Sequence, residues 1–141
     1  MFIQHGFYSL TRYERVLFLE MKGAWNQETT RAFQQDIYQK SAVLHGQPWT
    51  VITEMTDWEL FTPECEPIIV ETVKQSVANG LTREALINSK GSLKLHLFEK
   101  YKEQTLYFDK HIAFTRHVFT DMEAALQWLK SEGVDVPNEF K

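Results

Sequence analysis

At 141 residues, with 43% hydrophobic and 24% charged positions, the chain has the size and composition of one soluble domain. Such a domain buries about two-thirds of the surface its unfolded chain exposes. A net charge of −4 offers no basic face for neutralising phosphates, which excludes nucleic acid as an expected partner, and the single cysteine, Cys65, excludes an internal disulfide and a cysteine-ligated zinc site.

Phe7–Thr11 and Arg15–Met21 are extended runs joined by a short segment, which predicts an N-terminal hairpin. Val16–Leu17–Phe18–Leu19 is apolar on both faces, as in a strand covered on both sides. Asn26 is placed to cap a helix over about Gln27–Leu44, with Phe33, Ile37 and Leu44 on one stripe. His45-Gly46-Gln47-Pro48 turns the chain into a strand over Trp49–Glu54. Pro67 suits the first turn of a helix running to about Asn79, with Ile69, Val73 and Val77 inward and Gly80 closing it. Pro63 lies four residues earlier, and two prolines at that spacing cannot share a regular helix, so Thr62–Glu66 should be irregular.

A short strand follows at Arg83–Asn88, then a helix capped by Ser89 or Ser92 and reaching about Gln104, with Leu93, Leu97 and Tyr101 on one face. His111–Val118 reads as a further core strand. Thr120–Glu123 fits a capping box for a helix over Asp121–Glu132, which buries Ala125, Leu126, Trp128 and Leu129 and ends at Gly133. The expected fold is therefore α/β. It has a single mixed, mostly parallel five-stranded sheet, an antiparallel N-terminal hairpin and four main helices. Residues 1–133 form one domain, and 134–141 a short, loosely held tail.

The segment between the third strand and the second long helix holds the densest set of candidate functional residues. Glu54, Asp57, Glu59, Glu64 and Glu66 surround Trp58 and Phe61. One reading is an exposed aromatic anchor within a charged rim, as at partner surfaces. The other has the rings folded into the core while the acids face water. Trp25 and Trp58 both follow strand ends, which gather on one edge of a parallel sheet. They could form an aromatic patch there, or two core plugs.

Other sites are weaker. Cys65 sits in the irregular turn with no histidine nearby and reads as a small half-buried side chain. His5, His45, His96, His111 and His117 share no ligand spacing, so no metal is expected. Ser89-Lys90-Gly91-Ser92 lacks a phosphate-loop pattern and reads as a capped turn, and G-x-S-x-G and G-x-G-x-x-G are absent. No catalytic residue or cofactor site is legible. The opening M-F-I-Q-H-G lacks a signal-peptide pattern and no apolar run reaches membrane-span length, so a cytoplasmic protein is expected.

The element order and several strings resemble the STAS-like (SpoIIAA-like) domains, the family of the bacterial anti-sigma-factor antagonists, over about Phe7 to Gly133. The strings are G-A-W-N-Q-E-T at Gly23–Thr29, P-W-T-V-I-T-E-M-T-D-W-E-L at Pro48–Leu60, and the Phe119–Leu129 stretch ending in W-L. They are most similar to those of uncharacterised bacterial members. The resemblance implies a non-enzymatic interaction or regulatory module. In the antagonists, a strand-end acid leads to D-S-S-G, whose serine is phosphorylated. Here Glu54 matches the acid, Thr62-Pro63-Glu64-Cys65 overlies D-S-S-G, and Glu64 stands at the phospho-acceptor place. The expectation is thus a module that lacks that serine, whose partner is another protein or a second copy of itself, with Glu54, Asp57, Trp58, Glu59, Phe61, Thr62 and Glu64 as its interaction loop. The fold class also resembles lipid-transfer domains, so the alternative is a carrier or sensor of a small apolar ligand. The third reading is an enzyme without a readable signature.

Overall fold

The structure is a computed structural model that describes residues 6–44, 47–89 and 114–140. Its strands are β1 (Phe7–Tyr13), β2 (Val16–Trp25), β3 (Trp49–Glu54), β4 (Trp58–Phe61), β5 (Leu81–Ile87) and β6 (Thr115–Phe119). Its helices are α1 (Gln27–Ser41), α2 (Cys65–Ala78) and α3 (Met122–Ser131), with short 3-10 turns at Ala42–Leu44 and Asn138–Phe140. The main path of the sheet runs β1-β2-β3-β5-β6, with β1 antiparallel to β2 and every other pairing parallel.

The mixed, mostly parallel sheet with its N-terminal hairpin is the fold the sequence implies, with two differences in count. Six strands are present among the described residues rather than five, because Trp58–Phe61, expected as loop, forms β4. It pairs in parallel with Gly23–Trp25, beyond the point where β2 stops pairing with β3. Three helices of this kind are described rather than four; the helix expected up to Gln104, and His111 at the start of the last expected strand, lie outside the described residues.

The sheet divides two cores. Leu17, Leu19, Met21, Trp25, Val51 and Leu86 pack with Phe33 and Ile37 of α1 and Val77 of α2 on one face. Val16, Ile52, Ala85 and Ile87 pack with Ala125, Leu126 and Leu129 of α3 on the other. Adjacent residues such as Val51 and Ile52 are both buried but serve opposite faces, the pattern of a strand covered on both sides.

Helix ends follow local chemistry. The Asn26 side chain accepts from Thr29 N at 3.0 Å and caps α1. At α3 the cap is Asp121 rather than Thr120: its carboxylate accepts from Ala124 N at 2.8 Å. Helix α2 begins at Cys65, two residues before Pro67, which still falls within the first turn where a missing N–H costs nothing.

The C-terminal tail departs from expectation. Rather than hanging loose, Val134, Val136 and Phe140 pack on the α3-side core. Gly133, at φ +84°, lets Val134 N bond back to Leu129 O at 3.0 Å and turns the chain towards the sheet.

Candidate functional site

The segment from Met55 to Pro67 is built by four backbone ties. Where β3 ends, Met55 enters the core, its N–H bonds Ile87 O at 2.9 Å, and its carbonyl accepts from Trp58 N at 3.1 Å. Gly23 N bonds Asp57 O at 2.9 Å and Thr62 N bonds Trp25 O at 3.2 Å, which fixes both ends of β4 to β2. Gly23 has φ +72°, in the left-handed region, beside a register shift in the β2–β4 pairing.

This framework decides the question of the two tryptophans. Trp58 is 0% exposed and Trp25 is 1% exposed. They are neighbours, with ring centroids 6.4 Å apart in an edge-to-face arrangement, as expected from strand ends on one edge. They lie inside the molecule and form no surface patch. Trp58 stacks on half-buried Phe61 at 5.3 Å. Trp25 packs against Phe33 and Tyr8 and donates its indole N–H to Phe7 O at 3.2 Å. Burial raises the Tyr8 phenol above its ordinary range, and the nearby Asp36 charge raises it further.

Around that buried cluster the acids face outward. Asp57, Glu59 and Glu64 are exposed, whereas Glu54 and Glu66 are half-buried. Glu54 is also occupied locally, because its carboxylate accepts from Thr56 N at 2.8 Å. Thr62, Pro63 and Glu64 form the turn into α2, with Cys65 N on Thr62 O at 2.9 Å and Glu66 N on Pro63 O at 3.3 Å. Glu64 occupies the cap position of α2 in a helical conformation, and its side chain makes no capping bond. Cys65 is not half-buried as expected but fully buried, with Sγ 3.3 Å from Thr62 Oγ1.

No family model matches the chain, and no curated protein matches it. A solved structure from Shewanella loihica PV-4, of an uncharacterized DUF3478-family protein with a SpoIIAA-like fold, is similar to it. The TM-score is 0.64 over 92% of this chain and 97% of that one, at 14% sequence identity. This chain has the SpoIIAA-like fold. At that identity the likeness is one of architecture.

Within this SpoIIAA-like fold, the exposed turn Thr62–Glu64, exposed Glu59 of β4 and exposed Asp57 just before it share one edge of the sheet, at the start of α2. Sequence reasoning missed a second charged feature, beneath the helices. Arg116 on β6 pairs with Glu84 on β5 at 2.6 Å, with side chains only 3% and 12% exposed. Thr53 Oγ1 on β3 donates to the other Glu84 oxygen at 3.1 Å. The available signal was a pair of opposite charges, Glu84 and Arg116, on two strands of the sheet. These three residues line one end of an otherwise apolar cavity of about 50 Å³ between the sheet and α2.

The remaining candidates do not converge. His117 is exposed on β6 against Trp128 at 4.8 Å, and the other four histidines lie outside the described residues. Among the described residues no group of three or more His, Cys, Asp or Glu side chains is placed to hold a metal ion. No helix among them is long and apolar enough to cross a membrane. Ser89 donates its N–H to Thr56 Oγ1 at 3.1 Å, while Lys90, Gly91 and Ser92 lie outside the described residues.

Proposed function

We propose that this domain is a non-enzymatic interaction module of the cytoplasm that binds a protein partner through the acidic lip formed by Asp57, Glu59 and Glu64. The observation that carries the reading is the contrast within one short segment. Trp58 and Cys65 are fully buried and anchor the segment to the core, while the three acids between and beside them are exposed. A preorganised charged surface loses little entropy on binding and steers a partner of opposite sign. The partner chemistry is therefore a basic surface. Glu64 carries a permanent negative charge where the sigma-factor antagonists carry a switchable serine, so the module is constitutive.

A carrier of an apolar ligand draws less support. The cavity of about 50 Å³ falls well short of the roughly 300–1,000 Å³ typical of small-molecule sites.

The test is crosslinking of captured partners to wild-type protein, followed by affinity measurement on an Asp57→Lys, Glu59→Lys, Glu64→Lys triple variant. Crosslinks should map to residues 57–64, and reversal should weaken binding by about tenfold or more. A partner that binds wild type and variant equally would refute the assignment. Incubation with anti-sigma kinases should add no phosphate by intact mass; stoichiometric phosphate on Thr62 would refute the constitutive reading.

A further inference from the structure

We infer that a groove at the opposite edge of the sheet, where the parallel strands begin, is a binding site for a short peptide with both termini free. The groove has a volume of about 520 Å³, within the range of small-molecule sites. Its walls are the β1–β2 turn, the starts of β3 and β5, and the chain leaving α3.

Arg15 forms one wall and is held ready for a carboxylate. Its Nε donates to Pro48 O at 2.7 Å, which fixes the guanidinium plane on the backbone. Nη1 donates to Gln47 Oε1 at 3.0 Å, and Gln47 is an exposed side chain that a ligand can displace. Nη2 is buried and has no hydrogen-bond partner among the described residues. A buried donor without an acceptor is unfavourable. Swinging Gln47 aside frees Nη1 to donate a charge-assisted bond to a ligand carboxylate.

The rest of the groove is negative. Arg83 is already closed by Glu132 at 3.1 Å and by Thr82 O at 2.8 Å. Glu14 and Asp135 remain as exposed carboxylates. Glu14 holds φ +56° within a two-residue turn, a conformation usually given to glycine, asparagine or aspartate. Such retained strain is concentrated at functional positions, and here it sets a carboxylate at the groove's lip. One guanidinium beside two carboxylates disfavours polyanions and offers each charge of a zwitterion an opposite partner.

The length follows from the sheet. Arg15 precedes β2 and Arg83 lies on β5, with β3 between them, so the floor spans two strand spacings, about 10 Å. Three residues of extended chain cover about the same distance.

The probe is trialanine, titrated into the full-length protein and followed by amide chemical shifts. Saturable shifts at Thr50, Thr82 and Gly133 are expected. N-acetyl-trialanine and trialanine amide, each lacking one terminal charge, should bind at least fivefold more weakly. Arg15→Gln should weaken trialanine at least fivefold. Should that variant fail to fold, Asp135→Asn at an exposed position serves instead. It should weaken trialanine while leaving the acetylated probe unchanged. Absence of saturable shifts up to 20 mM, equal affinity for the three probes, or a folded variant that binds like wild type would each overturn the inference.

Discussion

A tryptophan among five carboxylates invites opposite interpretations, and the deciding quantity is its environment in the fold rather than its neighbours in the chain. Trp58 contacts Trp25 and Phe61 with no exposed surface. Truncating it would leave a cavity that β4 and β2, tied by backbone bonds, cannot close. Trp58→Ala should therefore lower stability by about 3–5 kcal/mol in urea denaturation. A loss below about 1 kcal/mol would place the ring at the surface instead. Cys65 permits a chemical version of the same question. A thiol with no exposure cannot meet a reagent without local opening. Under native conditions it should react with a thiol-specific chromophore far more slowly than in denaturant. Equal rates would mean that the turn over Thr62–Cys65 opens freely. The acids, by contrast, were expected to face water whichever way the ring pointed, because an ionised carboxylate is costly to bury; Asp57, Glu59 and Glu64 are exposed, whereas Glu54 and Glu66 are half-buried.

Elements were legible where their signal is local. Phe33 and Ile37 at helical spacing behind Asn26 place α1 within a residue of its expected start, because periodicity and capping are written in consecutive positions. Asn26→Ala removes the acceptor for Thr29 N, and the lost cap should cost about 1 kcal/mol, seen as a lower urea midpoint with an unchanged slope. Asn26→Asp should retain most of that stability. Strand β4 was hidden for the opposite reason. W-E-L-F is only four residues long and follows the turn-forming T-D pair. What makes it a strand is a pairing with Gly23–Trp25, more than thirty positions earlier. No local pattern encodes that partner. The capping box at Thr120–Glu123 was displaced by one residue for a similar reason, since Thr120 and Asp121 are both good caps and the approach of the chain from β6 selects Asp121.

At the scale of the whole molecule, the sheet separates two cores of different character, and each contains a feature that tests how the halves hold together. In the α1–α2 core the Arg116–Glu84 pair, with Thr53 donating to Glu84, is an ionic cluster under apolar cover. Removing one member leaves the other charge uncompensated, so Glu84→Gln should cost about 3–5 kcal/mol. The double change Glu84→Leu, Arg116→Met removes both charges and should restore most of that loss; a double variant no better than the single one would show that the cluster contributes beyond its own desolvation.

The α3 core is completed from the far end of the described chain. Phe140 meets Tyr13 at 5.2 Å and Phe18 at 5.5 Å, both edge-to-face. It thus spans the β1–β2 hairpin from the side that α3 leaves open. Nothing local in V-D-V-P-N-E-F announces this, because three apolar residues separated by polar ones have no helical stripe, and proline ends any regular element. Each edge-to-face aromatic pair contributes about 0.5–1.5 kcal/mol beyond area burial. The ring is half-buried rather than enclosed, so Phe140→Ala should cost about 2 kcal/mol, less than a fully buried phenylalanine. Phe140→Leu should recover the burial but not the ring geometry and fall between. Urea denaturation of the three proteins at one protein concentration separates the outcomes. Wild-type stability in Phe140→Ala would return the tail to the loose segment that its sequence suggests, whereas a graded loss would make it the last layer of the α3 core.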